Sequence, residues 1–393
     1  MPLKYLVLYL FLLGSPLMAI SQLPTLSEDA GISVITCGSG NELYSTFGHS
    51  AFRLQDPVLG IDVVYNYGTF NFREPNFYMK FAQGKLLYSL SRQKFEDFLW
   101  EYELENRWVK EQLLDLSPEG TKALFEFLEN NYRPENRDYK YDFLFNNCAT
   151  KLPEILGKVY GEQLVFHNYL KERFTFRELI HQNLNTNSWS AFGIDIALGS
   201  VIDREATPYQ HMFLPNYVME QLDRTTLDGK PLVERSRTIL ESTNKSPDPY
   251  FLASPLFWLL ALMAFTVIIT GIDLKNHSRS RSLDFVLFFL SGITGVLIIF
   301  LWFFTDHTAT AGNFNILWAF PLNLVVAFFL AKKGPLPKWS VVYLILLLLL
   351  LVLLLALWIA GFQIFSPLIV PLLFLFGARY FFLLYYQKGN LNK

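Results

Sequence analysis

YDFLFNNCATK, residues 141–151, is the stretch whose reading decides the fold. Alternating aromatics at Tyr141, Phe143 and Phe145 predict a strand, and the run from Ala149 to Tyr160 predicts a helix. Asn146, Asn147 and Cys148 stand between them, so the thiol belongs at a helix N-terminus. There the positive end of the helix dipole favours the thiolate, which is the nucleophilic form of cysteine. A thiolate that is to accept an acyl group needs a base whose second ring nitrogen is held by another polar group. His49, within FGHSAFR at residues 47–53, follows a glycine and precedes a strand expected from Ala51 to Leu54. That position sets its ring at the mouth of a sheet. The strand expected from Ile61 to Tyr67 is the natural neighbour, which makes Asn66 the candidate orienter of His49, with Tyr67 on the opposite face. Asn147, beside the nucleophile, is the candidate oxyanion donor together with the Cys148 backbone N–H.

The 393 residues are 52% hydrophobic with a net charge of −2, so nothing points to a nucleic-acid partner. Two cysteines make no disulfide framework. A single Cys37–Cys148 bridge in an oxidising compartment stays open as an alternative, which would make the chain a membrane assembly or binding protein rather than an enzyme. HExxH, CxxC, GxSxG and glycine-rich phosphate loops are absent. His167, His181 and His211 lack Cys or acid partners at metal-ligand spacing, and His277 lies in a loop expected to be cytoplasmic. No metal and no cofactor are therefore expected, and cysteine chemistry is the main option left.

The apolar excess is concentrated at the two ends. Residues 1–21 read as a signal peptide, with Lys4, the apolar run Tyr5–Leu13, and small residues Ala19 and Ser21 before Gln22. Residues 22–250 read as one mixed α/β domain. Its further strands are expected at Ile32–Thr36, Leu86–Leu90 and Val109–Leu116, with a helical turn at Phe77–Phe81. Helices are expected over Gln93–Leu104 and after the cap Ser117-Pro118-Glu119, then over Phe176–Leu184, Ser188–Ile202 and Pro215–Leu222. Asp228-Gly229 marks a hairpin turn, and STNKSPDP at 242–249 is a polar linker.

Residues 251–393 read as an all-α membrane domain of five transmembrane helices, at about 251–271, 285–304, 314–331, 341–361 and 364–385. Lys275, Arg279 and Arg281 follow the first span, and Lys332, Lys333 and Lys338 follow the third. The loops at 305–313 and 362–366 carry no Lys or Arg. By the positive-inside rule residues 22–250 face outward. Asp306, His307, Asn313, Asn315 and Trp318 gather on the outward loop and the start of the third span. They are candidates for holding a lipid head group or lining a lipid entry.

Six short runs carry a resemblance. CGSG at 37–40, ELYSTFGH at 42–49, the Arg53…Asp56 pair, VYNYG at 64–68, FAQG at 81–84 and NNCAT at 146–150 together resemble the Lnb-type lipoprotein N-acyltransferases. That family joins a periplasmic domain to a C-terminal membrane domain. The His-before-Cys order is also similar to the permuted papain-like fold of the NlpC/P60 and lecithin–retinol acyltransferase group. The resemblance implies an α+β permuted papain-like periplasmic domain, Cys148 as nucleophile, His49 as base and a thioester acyl-enzyme. It leaves the third residue open, because that group often has a second histidine where this chain offers Asn66. The implied partners are the membrane, a phospholipid acyl donor and a diacylglyceryl lipoprotein acceptor. The implied location is the bacterial inner membrane, with the catalytic domain in the periplasm. A membrane-bound phospholipase or a peptidoglycan hydrolase using the same Cys/His pair is the alternative reading.

Overall fold

The computed structural model describes residues 23–242 and 250–391. The expected signal segment 1–21 and all but the first residue of the linker 242–249 lie outside the described residues. The N-terminal part is built on strands β1 (Gly31–Cys37), β2 (His49–Asp56), β3 (Ile61–Thr69), β4 (Leu87–Lys94), β5 (Val109–Leu114) and β6 (Asp138–Lys140). Later come β7 (Leu164–Phe166), β8 (Thr225–Leu227), β9 (Lys230–Pro231) and β10 (Val233–Leu240). Seven of them pair antiparallel in the order β10-β5-β1-β2-β3-β4-β6, and β7-β8-β9 form a small second sheet. Asp228-Gly229 makes the expected turn between β8 and β9.

Side-chain alternation sorts the two faces of the large sheet. Ile32, Val34, Phe52, Leu54 and Tyr65 pack on one face with Leu152 and Leu156 of the helix Cys148–Tyr160. Ile35, Cys37, Ala51 and Val64 pack on the other with Phe98 and Tyr102 of the helix Phe95–Leu104. Each such side chain, fully buried, contributes about 1.5–3 kcal/mol of transfer free energy. His49 and Asn66 share parity with Ala51 and Val64, so both belong to the second face.

Two sequence readings change here. The run Tyr141–Phe145 is a turn, not a strand. Asp142 Oδ1 accepts from the backbone N–H groups of Leu144 and Phe145, both at 2.9 Å, and the turn closes through the Asp142–Asn146 backbone pair. Its alternating aromatics serve packing instead, Phe143 against Phe47 and Phe213. Strand β10 went unforeseen because its sequence VERSRTIL is polar. It is an edge strand on β5, joined there by Arg237 Nε donating to Glu111 at 2.6 Å. Arg53 and Asp56, two residues of the resemblance, hold separate partners. Arg53 bonds Asp62 at 2.7 Å and Glu111 at 2.8 Å, while Asp56 holds Ser27 and the Val58–Leu59 turn.

Among the described residues, four helices are long and apolar enough to cross a membrane: Pro255–Lys275, Arg281–Phe303, Ser340–Ile359 and Pro367–Lys388. The segment 314–331, expected as a single span, is instead a 3-10 turn Phe314–Leu317 and a short helix Asn323–Leu330. Pro321 lies in the break. Irregular backbone at membrane depth needs protein around it. Gly292 and Gly295 of the second helix supply the room, since a Cβ on either would come within 2.1 Å of Leu324 N or 1.9 Å of Ala319 O. Asn323 is fully buried there, bonding Ser291 at 3.0 Å and Tyr343 at 2.6 Å. At the other end of the bundle Arg379 binds Asp273 at 2.8 Å and Asp284 at 2.6 Å, and Arg279 joins Asp284 at 2.9 Å. Three helices are thereby tied by buried, compensated charge.

The two parts of the chain are docked by main-chain bonds. Gly199 N–H donates to Ala309 O at 2.9 Å and Ser200 N–H to Gly312 O at 3.0 Å. Asn313 donates to the carbonyl of Ile196, and Asn315 to that of Asp195. This docking ends the helix expected through Ile202 at Ala197. A Cβ at Gly199 would come within 1.9 Å of Ala311 O, whereas one at Gly157, inside a helix, meets nothing within 4 Å. Gly199→Ala should therefore lower the Tm of the purified protein by several degrees. Gly157→Ala should leave it unchanged or raise stability by about 0.5–1 kcal/mol. Calorimetry of the two variants side by side checks the docking contact.

Candidate active site

Cys148 is the first residue of its helix, and Asn147 is the cap. Asn147 Oδ1 accepts from the N–H groups of Ala149 at 2.8 Å and Thr150 at 2.9 Å, and Thr150 Oγ1 returns a bond from the Asn147 N–H. The Asn147 amide donates to Phe143 O at 2.7 Å and Phe213 O at 2.8 Å. Both of its hydrogens are thus engaged, and none is left for an oxyanion. Asn147 instead fixes the start of the helix that Cys148 opens.

His49 opens β2 directly opposite Cys37 of β1. Gly48 before it has φ +78°, and a Cβ there would come within 2.7 Å of the Cys37 carbonyl, so the bend that delivers His49 requires glycine. His49 Nε2 bonds Asn66 Oδ1 at 2.6 Å, which leaves Nδ1 for the thiol. Gly68, with φ +92°, lies where its Cβ would meet the Cys148 Cβ at 3.5 Å. Cys148, His49 and Asn66 are therefore brought together by three separate elements.

The charge balance of the pair follows from this geometry. Burial alone would raise the Cys148 pKa. The His49 charge, a hydrogen bond from His49 and the N–H groups of Ser50 and Ala149 outweigh it, so the thiol lies below its ordinary range. Burial opposes protonation of His49, but the Cys148 charge and hydrogen bonds to Cys148 and Asn66 raise its pKa above the ordinary imidazole value, against the opposing charge of Arg107. Each partner therefore favours the charged form of the other, thiolate beside imidazolium. Cys37 is different: buried beside Tyr102 and Arg107, its thiol is pushed far up by desolvation, which favours the protonated form. Both cysteines are free.

The pair opens on a cavity of about 660 Å³ lined mainly by apolar groups. Its walls come from both parts of the chain, with Phe47, Tyr88 and Phe213 from the first, and Leu301, Asp306 and His307 from the second. Asp306 and His307, candidates for head-group contact in the sequence, line this cavity. Asp306 N–H donates to Gln83 O at 2.8 Å, its carboxylate meets Lys140 at 3.2 Å, and Thr308 bonds Asp142 at 2.6 Å. Asn315 and Trp318 do not line the cavity. Both are buried, Trp318 Nε1 donates to Asn315 Oδ1 at 3.0 Å, and the Asn315 amide bonds the Asp195 carbonyl. Their role here is docking. Among the described residues no group of His, Cys, Asp or Glu could hold a metal ion.

Sequence reasoning missed Arg107 and Tyr102, which line the cavity beside His49. Arg107 Nε donates to Gly38 O at 2.8 Å and its NH1 bonds Glu105 at 2.8 Å. CGSG, whose Gly38 carbonyl accepts the Arg107 Nε bond, is closely packed here. A Cβ on Gly38 would strike the Trp108 ring at 2.3 Å, and one on Gly40 would strike Ser45 Oγ at 2.3 Å.

Alkylation follows the thiolate, and the sign of its pH dependence is determined by the pair. The depressed Cys148 pKa keeps the thiolate as pH falls, until pH passes through that folded value. The raised His49 pKa holds the imidazolium until pH rises through it. The iodoacetamide reaction of Cys148 should therefore titrate with a midpoint below that of an ordinary thiol. His49→Ala should move the midpoint upward by a unit or more, slowing the reaction at neutral pH by about tenfold. An unshifted midpoint in His49→Ala would mean the ring does not stabilise the thiolate.

Comparison with protein families gives two matches. The Lnb N-terminal periplasmic domain matches residues 26–182, and the Lnb transmembrane domain matches residues 246–390. Together they cover most of the chain in the same order. No curated protein and no solved structure matches it.

Proposed function

Since the chain belongs to the Lnb family, with a periplasmic and a transmembrane part, we propose that it is a membrane enzyme of lipoprotein maturation, acting as a lipoprotein N-acyltransferase. The observation that carries the reading is the Cys148–His49 pair, each favouring the other's charged form, at the wall of an apolar cavity shared by both parts of the chain. In this reading the Cys148 thiolate attacks the ester carbonyl of a phospholipid, and the protonated His49 gives its proton to the leaving glyceryl oxygen. Lysophospholipid departs and the acyl chain stays on sulfur as a thioester. The neutral α-amine of a diacylglyceryl-cysteine then attacks the thioester carbonyl. His49 takes the amine's proton, the carbon–sulfur bond breaks, and the thiolate–imidazolium pair is restored. Asn66 keeps His49 Nε2 protonated throughout. The Cys148 backbone N–H, at the open end of its helix, receives the oxyanion.

The same reading places the enzyme in the bacterial inner membrane with its cysteine domain in the periplasm. Its sheet is a permuted papain-like one. Counting the broken segment 314–331 as a crossing gives five, with the C-terminus inside. Asp306 and His307 contact the lipid head group. An apolar cavity closed against the bilayer excludes water, which is what separates transfer from hydrolysis.

The test is acceptor dependence. With reconstituted protein, lysophospholipid release beyond one equivalent per enzyme should require a lipopeptide bearing a free diacylglyceryl-cysteine amine. Chemically blocking that amine should suppress turnover at least tenfold, with little free fatty acid formed. Rapid release of fatty acid without acceptor would overturn transfer and leave a phospholipase.

A further inference from the structure

Beside the cavity the outward domain carries apolar side chains that have nothing to cover them. Phe72, Tyr78 and Phe81 are 70%, 80% and 53% exposed, and Met79 is 58% exposed. They belong to the loop and short helix between β3 and β4, Phe77–Ala82. The patch is built rather than frayed. Phe77 is buried under it, with Phe72 at 5.0 Å and Phe70 at 5.8 Å between ring centroids, and Phe81 stacks on it at 6.3 Å.

Its height relative to the membrane follows from the chain. The second apolar helix ends at Phe303, and Phe303 and Phe304 are both 64% exposed. Asp306, three residues on, donates its N–H to Gln83 O at the end of the short helix. Gly84 allows this approach, since a Cβ there would come within 3.1 Å of His307 N. Three residues reach at most about 10 Å. Gln83, where the short helix ends, is therefore within roughly 13 Å of the end of the second apolar helix, which sets the patch at the level of the head-group layer. Arg73 and Lys85 flank it and are exposed, and Lys80 pairs with Glu74 at 2.6 Å. Aromatic and aliphatic groups rimmed by cations suit the head-group and upper acyl region of a bilayer.

We propose that Phe72, Tyr78, Met79 and Phe81 insert into the outer face of the bilayer and form the lip over which a lipid acyl chain enters the cavity. Phe81 and Gly84 line that cavity together with Cys148 and Leu301. A chain leaving the bilayer along Phe303 and Phe81 would reach the thiol without crossing water. The insertion stands on geometry alone, and the entry route rests on the acyl-transfer reading given above.

The experiment has two arms. In the first, a nitroxide is attached to Tyr78→Cys in a Cys148→Ala background, with buried Cys37 left in place, and the protein is reconstituted in vesicles of phosphatidylethanolamine and phosphatidylglycerol. Val58→Cys is the aqueous control. It is exposed just beyond the far end of β2, whose eight residues from His49 to Asp56 span about 25 Å. At position 78 collisions with oxygen should exceed those with a water-soluble nickel chelate, and at position 58 the order should reverse. Equal nickel access at both positions overturns the insertion. In the second arm, Tyr78→Asp/Met79→Asp should cut turnover of vesicle phospholipid at least tenfold while acylation of Cys148 by a short-chain, monomeric thioester stays at the level of the unsubstituted protein. Equal loss on both substrates overturns the entry route. If the unsubstituted protein turns over neither substrate, the acyl-transfer reading and the entry route fall together, and the first arm still decides the insertion.

Discussion

Favouring a thiolate in a largely buried place is the constraint on which the rest of this structure depends. Desolvation opposes the charge on Cys148, and several separate elements have to offset it together. The imidazolium of His49 is the largest favourable contribution. It is delivered by a left-handed glycine, Gly48, and aimed by Asn66 from the neighbouring strand. The N–H groups of Ser50 and Ala149 add hydrogen bonds, and Gly68 leaves room for the cysteine. Asn147 caps the helix so that its first turn stays open toward the cavity. None of these groups would be needed for a structural thiol, as Cys37 shows by being buried without a base.

Much of this was legible before the fold was known. Cys148 at a helix start, His49 at a strand start and Asn66 on the adjacent strand are read from local patterns, and the sheet register joins them. Asn147 was harder. An asparagine beside a nucleophile suits an oxyanion donor and a helix cap equally, and only the carbonyls of Phe143 and Phe213 decide between them. The aromatic alternation of Tyr141–Phe145 imitates a strand, but Asp142 turns the chain through a side-chain bond that hydropathy does not register. Arg107 carries no sequence signal of its own, because its neighbours His49 and Gly38 are distant in the chain.

In the membrane part, hydropathy locates apolar mass correctly and misjudges its conformation. Residues 314–331 are apolar enough to read as a helix, yet Pro321 breaks them. The glycines that accept the break, Gly292 and Gly295, lie on another helix. Asn313 and Asn315 were expected near lipid because they are polar at a membrane edge. They serve instead to bind the carbonyls of Asp195 and Ile196, which holds the cysteine domain against the bundle. That rigid docking lets the outward loop 305–310 act as one wall of the cavity, so the membrane part is a component of the site as well as an anchor.

The central claim is that Cys148 carries the acyl group, and peptide mass spectrometry tests it most directly. Reconstituted protein is incubated with a phospholipid of one defined acyl chain, without acceptor, then digested under mildly acidic conditions that preserve thioesters. The account predicts the mass of that single chain on the peptide containing Cys148, removed by neutral hydroxylamine and absent from His49→Ala. An acyl chain on another residue, or an unmodified Cys148 peptide while lysophospholipid accumulates, would contradict it.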